Sequence, residues 1–141
     1  MNRVRRIRGV IGAVGVAAAL WTVAVPLLGH RLAVTGGPPR REPLEIGLAP
    51  VVIVALAAAL AGWALLALLE RLLPRSARLV WTITAVGVLL VSLAPLLAPG
   101  MDAATRIILG ALHVAVATVL IPVMTRSAAG SALTTVADDD R

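Results

Sequence analysis

The sequence predicts an all-α fold, a membrane-embedded bundle of four helices that run up, down, up and down. Three observations predict it. Of the 141 residues, 60% are hydrophobic and 14% are charged, whereas a soluble domain has about 45–50% apolar and roughly 25% charged residues. The mean hydropathy is +0.97. The few charged residues are also clustered, so that they leave four long apolar stretches between them.

The four apolar stretches are the candidate membrane spans. They contain no Lys, Arg, Asp or Glu, and they cover residues 9–29, 46–69, 79–101 and 107–125. A helix needs about 20 residues to cross ~30 Å of hydrocarbon at about 1.5 Å per residue. Backbone polar groups in lipid must be satisfied within the segment, which favours helices. The first stretch is longer than the ~7–15 apolar residues of a signal peptide, so we expect it to be retained as a span.

Short connections arrange the spans into an antiparallel bundle. Residues 30–45 form the longest connection, and its Gly-Gly-Pro-Pro core excludes a helix. Tight turns at residues 70–78 and 99–105 are broken by prolines. Such short links make neighbouring helices antiparallel. We therefore predict one membrane domain over residues 1–126, followed by a disordered cytoplasmic tail at residues 127–141.

The placement of the basic residues predicts the orientation of the bundle. All 13 of them are arginines, and a cytoplasmic N-terminus puts nine arginines inside and four outside. The positive-inside rule then places both termini in the cytoplasm. The arginine-, alanine- and valine-rich composition is typical of a GC-rich bacterial genome, which indicates a bacterial cytoplasmic membrane. The arginines lie at span ends without neighbouring aromatic residues, so we expect no nucleic-acid partner.

One titratable side chain, His113, lies within an apolar stretch. At about 1.5 Å per residue, it lies at the same depth as Trp21, Thr22 and Ser92 on the antiparallel spans. We predict that these four residues form a buried polar layer in the outer half of the membrane, in which His113 bonds Ser92 or Thr22. The layer is either an interhelical contact worth about 0.6 kcal/mol or a site for a ligand or a proton.

The remaining residues do not form a recognisable catalytic or metal site. The sequence has no cysteine, and His30 and His113 differ in depth by about 10 Å, which argues against a bis-histidine haem. A zinc site needs three or four clustered ligands, and the sequence shows no such cluster. Acid–base catalysis needs paired carboxylates, and the apolar stretches contain none. A nucleophile elbow and a phosphate-binding loop are also absent. We therefore expect no enzyme activity, no cofactor and no metal.

Glu70 is the carboxylate closest to the interior of a span. It ends the second apolar stretch, and arginines follow it at positions 71, 75 and 78. A proton-coupled exporter of this size would need a carboxylate inside the membrane, whereas Glu70 lies at the inner end of the second stretch. We therefore interpret Glu70 as part of a solvated charge cluster rather than as a coupling site.

Small residues recur four positions apart in three of the spans. The pairs are Gly15 with Ala19, Ala55 with Ala59, Ala58 with Gly62, and Ala111 with Ala115. Residues four apart lie on one helix face, where small side chains let two backbones approach closely. The pattern favours packing inside the bundle and leaves a dimer face as the alternative.

Two stretches of the chain carry a resemblance to a known family. They are Gly-Trp-Ala-Leu-Leu-Ala-Leu-Leu-Glu-Arg at residues 62–71 and Leu-His-Val-Ala-Val-Ala-Thr-Val-Leu-Ile-Pro at residues 112–122. Together they resemble a family of small four-span actinobacterial membrane proteins of unknown function, over about residues 8–126. His113 and Pro122 match the most distinctive stretch of that family. The resemblance implies four spans and draws attention to His113, but it names no substrate.

The lack of catalytic groups and the small-residue faces favour a non-enzymatic integral membrane protein that acts as an accessory or interaction subunit. Its expected partners are the lipid bilayer and either another membrane protein or further copies of itself. The alternative is a small-molecule binder or a proton-linked transporter that uses the layer around His113. Under that alternative, we expect a cavity bounded by Trp21, Ser92 and His113.

Overall fold

The computed structural model describes residues 2–35, 43–97 and 101–139 as four helices and one short hairpin. In chain order, the elements are α1 (Asn2–Thr22), β1 (Ala33–Thr35), β2 (Pro43–Glu45), α2 (Leu48–Leu72), α3 (Ala77–Leu93) and α4 (Ala103–Asp139). A π-helical segment at Val23–Leu27 prolongs α1, and a 3-10 segment at Ala94–Leu97 prolongs α3.

The four helices form one bundle. Helices α1 and α3 each pack against both α2 and α4, and α2 also contacts α4 across the diagonal. Each helix, together with the π-helical or 3-10 segment that prolongs α1 or α3, contains a stretch that is long and apolar enough to cross a membrane. These segments are Arg3–Leu27, Leu48–Leu72, Ala77–Leu97 and Ala103–Arg126. The predicted all-α, four-helix membrane fold is thereby confirmed.

The bundle has two chemically different ends. We call the end formed by residues 3–9, 66–81 and 120–126 the arginine-rich end. The opposite end, formed by residues 21–35, 43–51 and 94–108, is called the hairpin end. Because α1 and α2 are antiparallel, the start of α1 and the end of α2 meet at the arginine-rich end, whereas the hairpin joins them at the other.

Large apolar side chains face outward along the bundle. Ile11, Val91 and Ile107 are 65–72% exposed, which suits a bilayer because hydrocarbon is as apolar as these side chains. The interior combines alanines with a few large residues. The largest fully buried side chains are Trp81, Leu66, Met124 and Thr105.

Helices α1 and α4 approach each other closely around two glycines. A Cβ atom at Gly9 would lie 2.7 Å from Cγ1 of Val123, and one at Gly12 would lie 3.3 Å from Cγ1 of Val119. The first distance is too short for any side chain without a shift of α1 or of Val123. Glycine at position 9 therefore sets how closely the two helices pack.

The four predicted pairs of small residues do not all face the interior. Ala55 and Ala59 are 6% and 0% exposed, so this pair packs inside the bundle as predicted. In each of the other pairs at least one member is exposed; the exposed members are Gly15, Ala19, Ala58 and Ala111. Spacing alone thus identified faces of small residues but not the direction in which each face points.

The connection between α1 and α2 contains the only strands of the described residues. Ala33 pairs with Glu45 and Val34 pairs with Leu44 in an antiparallel register, and the N–H of Ile46 bonds the carbonyl of Leu32 at 2.7 Å. The Gly-Gly-Pro-Pro core of this connection lies outside the described residues. The hairpin is a small addition to an otherwise helical fold.

A change of helix type ends α1. Pro26 has no N–H to donate, and the backbone widens into the π-helical segment, in which the N–H of Leu28 bonds the carbonyl of Val23 at 3.0 Å. Gly29 then adopts φ +70°, a left-handed conformation that glycine tolerates best. The chain leaves the helix there and turns towards the hairpin.

Asp102 caps the start of α4. Its Oδ2 accepts the N–H of Thr105 at 3.2 Å, and such a carboxylate satisfies a backbone donor that has no partner within the helix. Hydrogen bonds from Thr105, first from its side chain and then from its backbone, hold the pKa of Asp102 below its ordinary value of 3.8. Asp102 lies just before the apolar segment of α4.

Helix α4 continues well beyond its apolar segment. It passes through Pro122 and extends to Asp139, whereas the sequence analysis predicts a disordered tail at residues 127–141. The alanines after Arg126 favour helix, which accounts for the continuation. Residues 140–141 lie outside the described residues, and the cytoplasmic placement of the tail stays a prediction.

Candidate functional site

The two α1 members of the predicted polar layer have different surroundings. Trp21 is half-buried, and its Nε1–H donates to the carbonyl of Ile46 at 3.0 Å. Thr22 is exposed, and its hydroxyl donates to the carbonyl of Ala18 at 2.8 Å. Trp21 therefore fastens α1 to the segment that leads into α2, whereas Thr22 bonds within its own helix.

The other two members, Ser92 and His113, are half-buried and also bond within their own helices. The Ser92 hydroxyl donates to the carbonyl of Leu89 at 2.7 Å. Nδ1 of His113 lies 2.7 Å from the carbonyl oxygen of Leu109. A carbonyl has no proton to give, so Nδ1 must carry the hydrogen, and in the neutral ring Nε2 is then an acceptor.

The predicted bond from His113 to Ser92 or Thr22 is not among the hydrogen bonds of the described residues. Each side chain instead uses a carbonyl three or four residues earlier in its helix, a common arrangement for hydroxyl residues in spans. The rise per residue fixes only how far along its helix a side chain lies, whereas a direct bond between helices also depends on the rotation of each helix about its axis. The functional role of the four residues stays a prediction.

A cleft of about 400 Å³ opens at the hairpin end. Its lining consists of residues from the end of α1, the hairpin and the start of α2; these are Trp21, Val25, Gly29, His30, Arg31, Leu32, Glu45, Ile46 and Gly47. Trp21 is the one layer residue in this lining. The cleft therefore differs from the predicted cavity, which was bounded by Trp21, Ser92 and His113.

An ion pair lies on the exposed side of this cleft. Nη1 of Arg31 is 3.7 Å from Oε1 of Glu45, and the two side chains are 87% and 72% exposed. The hydroxyl of the buried Thr105 lies 3.4 Å from the carbonyl oxygen of Arg31, so the backbone of Arg31 rests against the start of α4. The charges are solvated, but the backbone that carries them is held in place.

A second ion pair lies at the arginine-rich end, and it was not predicted from the sequence. Nη2 of Arg6 on α1 donates to Oε1 of Glu70 on α2 at 2.5 Å, and the side chains are only 7% and 23% exposed. The interpretation of Glu70 as one member of a solvated cluster is corrected accordingly. The missed signal was periodic, because Arg6 shares one helix face with the buried residues Val10, Ala13 and Ala17.

A buried indole joins two helices beside the arginine-rich end. Trp81 on α3 is 2% exposed, and its Nε1–H donates to the carbonyl of Gly62 on α2 at 2.9 Å. A Cβ atom at Gly62 would lie 3.8 Å from the Trp81 ring. Arg5 adds a longer bond of 3.4 Å to the carbonyl of Arg126 at the surface. Polar contacts thus join α1 to α2, α2 to α3 and α1 to α4.

The two ends offer different chemistry. The arginine-rich end holds paired and packed groups, whereas the hairpin end has room for a ligand beside two solvated charges.

Within the described ranges 2–35, 43–97 and 101–139, no three His, Cys, Asp or Glu side chains are grouped so that they could hold a metal ion.

Comparison with known proteins identifies a family but no characterised relative. No curated protein and no solved structure matches the chain. The family described as a family of unknown function, DUF6069, matches residues 1–130, which includes all four apolar helical segments. The chain therefore belongs to the DUF6069 family.

Proposed function

We propose that this DUF6069 member is a non-enzymatic accessory subunit of the bacterial cytoplasmic membrane that acts through contacts with a second membrane protein. The proposal places both termini and the arginine-rich end in the cytoplasm. The distribution of arginines supports this orientation. The resemblance noted in the sequence suggests an actinobacterial source.

One observation carries this proposal: α1 presents small residues on its outer face. Gly15 and Ala19 are exposed, and a Cβ atom at Gly15 would have nothing within 4 Å. The bundle itself uses a different face of α1, on which Ala13 and Ala17 are 0% and 1% exposed. Since small residues let helices approach closely in lipid, the outer face of α1 suits contact with a helix of another protein.

The experiment is purification of the tagged full-length protein from native membranes in a gentle detergent, with mass spectrometry of what accompanies it. We expect a stable complex with another membrane protein. Gly15→Leu should remove that partner, because the new side chain would occupy the contact. Gly87→Leu is the matched control, since Gly87 is also exposed with nothing within 4 Å of its Cβ position but lies on α3.

Two results would contradict the proposal. One is a protein that runs only as a monomer after gentle extraction. The other is a partner that stays bound equally well to the wild type and to Gly15→Leu.

The alternative function, a binder or proton-linked transporter centred on His113, is favoured by one feature. With Nδ1–H bonded to Leu109, Nε2 of the neutral ring is an acceptor, and no hydrogen bond to it is present among the described residues. The variant His113→Ala separates the possibilities. Loss of a co-purifying small molecule at unchanged melting temperature would favour the alternative, whereas a lower melting temperature with the protein partner retained would favour the accessory role.

A further inference from the structure

The cleft at the hairpin end has a graded lining. Leu32 is 2% exposed, and Trp21 and Ile46 are half-buried, whereas the side chains of Arg31 and Glu45 are 87% and 72% exposed. Apolar groups therefore lie on the protein side of the cleft and charged groups lie on the solvent side. Such a lining fits a molecule with one apolar part and one charged part.

The position of the cleft matches the boundary between hydrocarbon and headgroups. Trp21 and Val25 belong to the apolar segment Arg3–Leu27, and Gly47 directly precedes the segment Leu48–Leu72. Tryptophan is enriched at this boundary because its ring is amphipathic. A membrane lipid therefore reaches the cleft with its headgroup at the level of the charged residues.

The two charges select the type of headgroup. The guanidinium of Arg31 and the carboxylate of Glu45 are 3.7 Å apart and exposed, so they contribute little to each other's stability and can exchange partners. An anion is attracted by Arg31 but repelled by Glu45, and the reverse holds for a cation, so an ion of one sign gains little from the pair. A headgroup that carries both a phosphate and an ammonium satisfies both side chains.

The backbone around the cleft is fixed without a ligand. Ile46 accepts the indole N–H of Trp21 at 3.0 Å and donates its own N–H to Leu32 at 2.7 Å. Glu45 is held by its strand pairing with Ala33. The two charged residues therefore project from a braced segment, which lowers the ordering cost of binding.

We propose that this cleft binds a zwitterionic phospholipid, represented by phosphatidylethanolamine. Arg31 binds the phosphate and Glu45 accepts hydrogen bonds from the ammonium, while the glycerol region lies against Trp21 and Ile46. This binding goes beyond the proposed accessory role and does not depend on it, because it requires no protein partner.

The experiment measures which lipid stays on the full-length protein. The protein is reconstituted in equimolar phosphatidylethanolamine and phosphatidylglycerol, extracted gently and analysed by native mass spectrometry. We expect the wild type to retain phosphatidylethanolamine about tenfold more than phosphatidylglycerol. Arg31→Gln and Glu45→Gln should each reduce its retention roughly tenfold, the scale of one lost charge-assisted hydrogen bond.

Arg78→Gln is the matched control, because Arg78 is also exposed but lies at the start of α3, away from the cleft. Its lipid retention should equal that of the wild type. Equal or greater retention of phosphatidylglycerol by the wild type would overturn the proposal, even if a variant fails to fold. Unchanged retention in both cleft variants would overturn it as well.

Discussion

The two ends of the bundle contain the same pair of polar contacts in opposite settings. Each end has an indole N–H bonded to a backbone carbonyl, from Trp81 to Gly62 at one end and from Trp21 to Ile46 at the other. Each end also has an arginine–glutamate pair. The pair at the arginine-rich end has exposures of 7% and 23%, and the pair at the hairpin end has exposures of 87% and 72%.

This difference shows that the type of contact does not determine its role. In lipid, helices are held together by packing and by polar contacts shielded from water. The contacts at the arginine-rich end meet both conditions, so we assign them to stability. At the hairpin end, the ion pair borders a cleft and remains accessible, so we propose a binding role for it, whereas the bond from Trp21 braces the segment that carries Glu45.

The largest effect is expected from removing the buried indole. Trp81→Ala leaves a cavity and removes the side-chain hydrogen bond to the carbonyl of Gly62, and large-to-small changes of this type cost about 3–5 kcal/mol in soluble cores. In a membrane the alternative surroundings of the indole are lipid rather than water, so less hydrophobic free energy is lost. We therefore expect the lower end of this range, about 3 kcal/mol, measured by unfolding in a denaturing detergent. Trp21→Ala is the control from the hairpin end, and a cost as large as that of Trp81→Ala would contradict the comparison.

The two ion pairs should differ in coupling energy. For Arg6→Gln, Glu70→Gln and the double variant, we expect a coupling of about 2 kcal/mol, since the pair is shielded and short. For Arg31→Gln, Glu45→Gln and their double variant, we expect less than about 1 kcal/mol, as for exposed pairs. Both cycles use the same unfolding assay. Equal coupling energies at the two ends would show that burial does not distinguish them.

A smaller effect is expected where α1 and α4 approach each other. Gly9→Ala places a methyl group 2.7 Å from Cγ1 of Val123, and overpacking costs about 1–3 kcal/mol. Alanine recovers up to about 1 kcal/mol in helix propensity, so we expect a net loss near 1 kcal/mol. Gly87→Ala has open space at its Cβ position and should be neutral or stabilising. A stabilising Gly9→Ala would contradict the close approach.

The smallest effect concerns the cap of α4 at the hairpin end. The pKa of Asp102 is lowered by hydrogen bonds from Thr105, so its ionised form is favoured in the folded state. Its contribution is therefore fully present above the ordinary pKa of 3.8 and is lost as the pH falls through the lower folded value. Asp102→Asn keeps a capping oxygen but does not titrate. As the pH falls below 3.8, the variant should therefore lose less stability than the wild type. Parallel pH profiles would argue against the cap.

The sequence was sufficient to predict the helices. Each span was visible as a gap between charged residues, because a bilayer excludes charge and obliges the backbone to form helices. Helix ends were predicted less well. The turn of α1 into a π-helical segment depends on Pro26, and the extension of α4 to Asp139 depends on small residues that favour helix without being apolar enough to extend a span.

The hydrogen-bond partners at the candidate site could not be predicted from the sequence. Trp21 donates to the backbone carbonyl of Ile46 rather than to a polar side chain of the predicted layer. The depth of His113 stays a prediction, and the structure gives its ring Leu109 as a partner within α4. Arg6 was counted only as one of the basic residues that orient the chain. Its partner, Glu70, is 64 positions away in the sequence, and local patterns do not report on such a distance.

The sequence by itself determined the number of apolar helices and their order along the chain. These follow from the length of the apolar stretches and the fixed rise of a helix. Only the tertiary structure decided which residues face each other, because neither constraint fixes the rotation of a helix about its axis. That rotation turns Arg6 towards Glu70 and Trp81 towards Gly62, while it leaves Gly15 on the outer face.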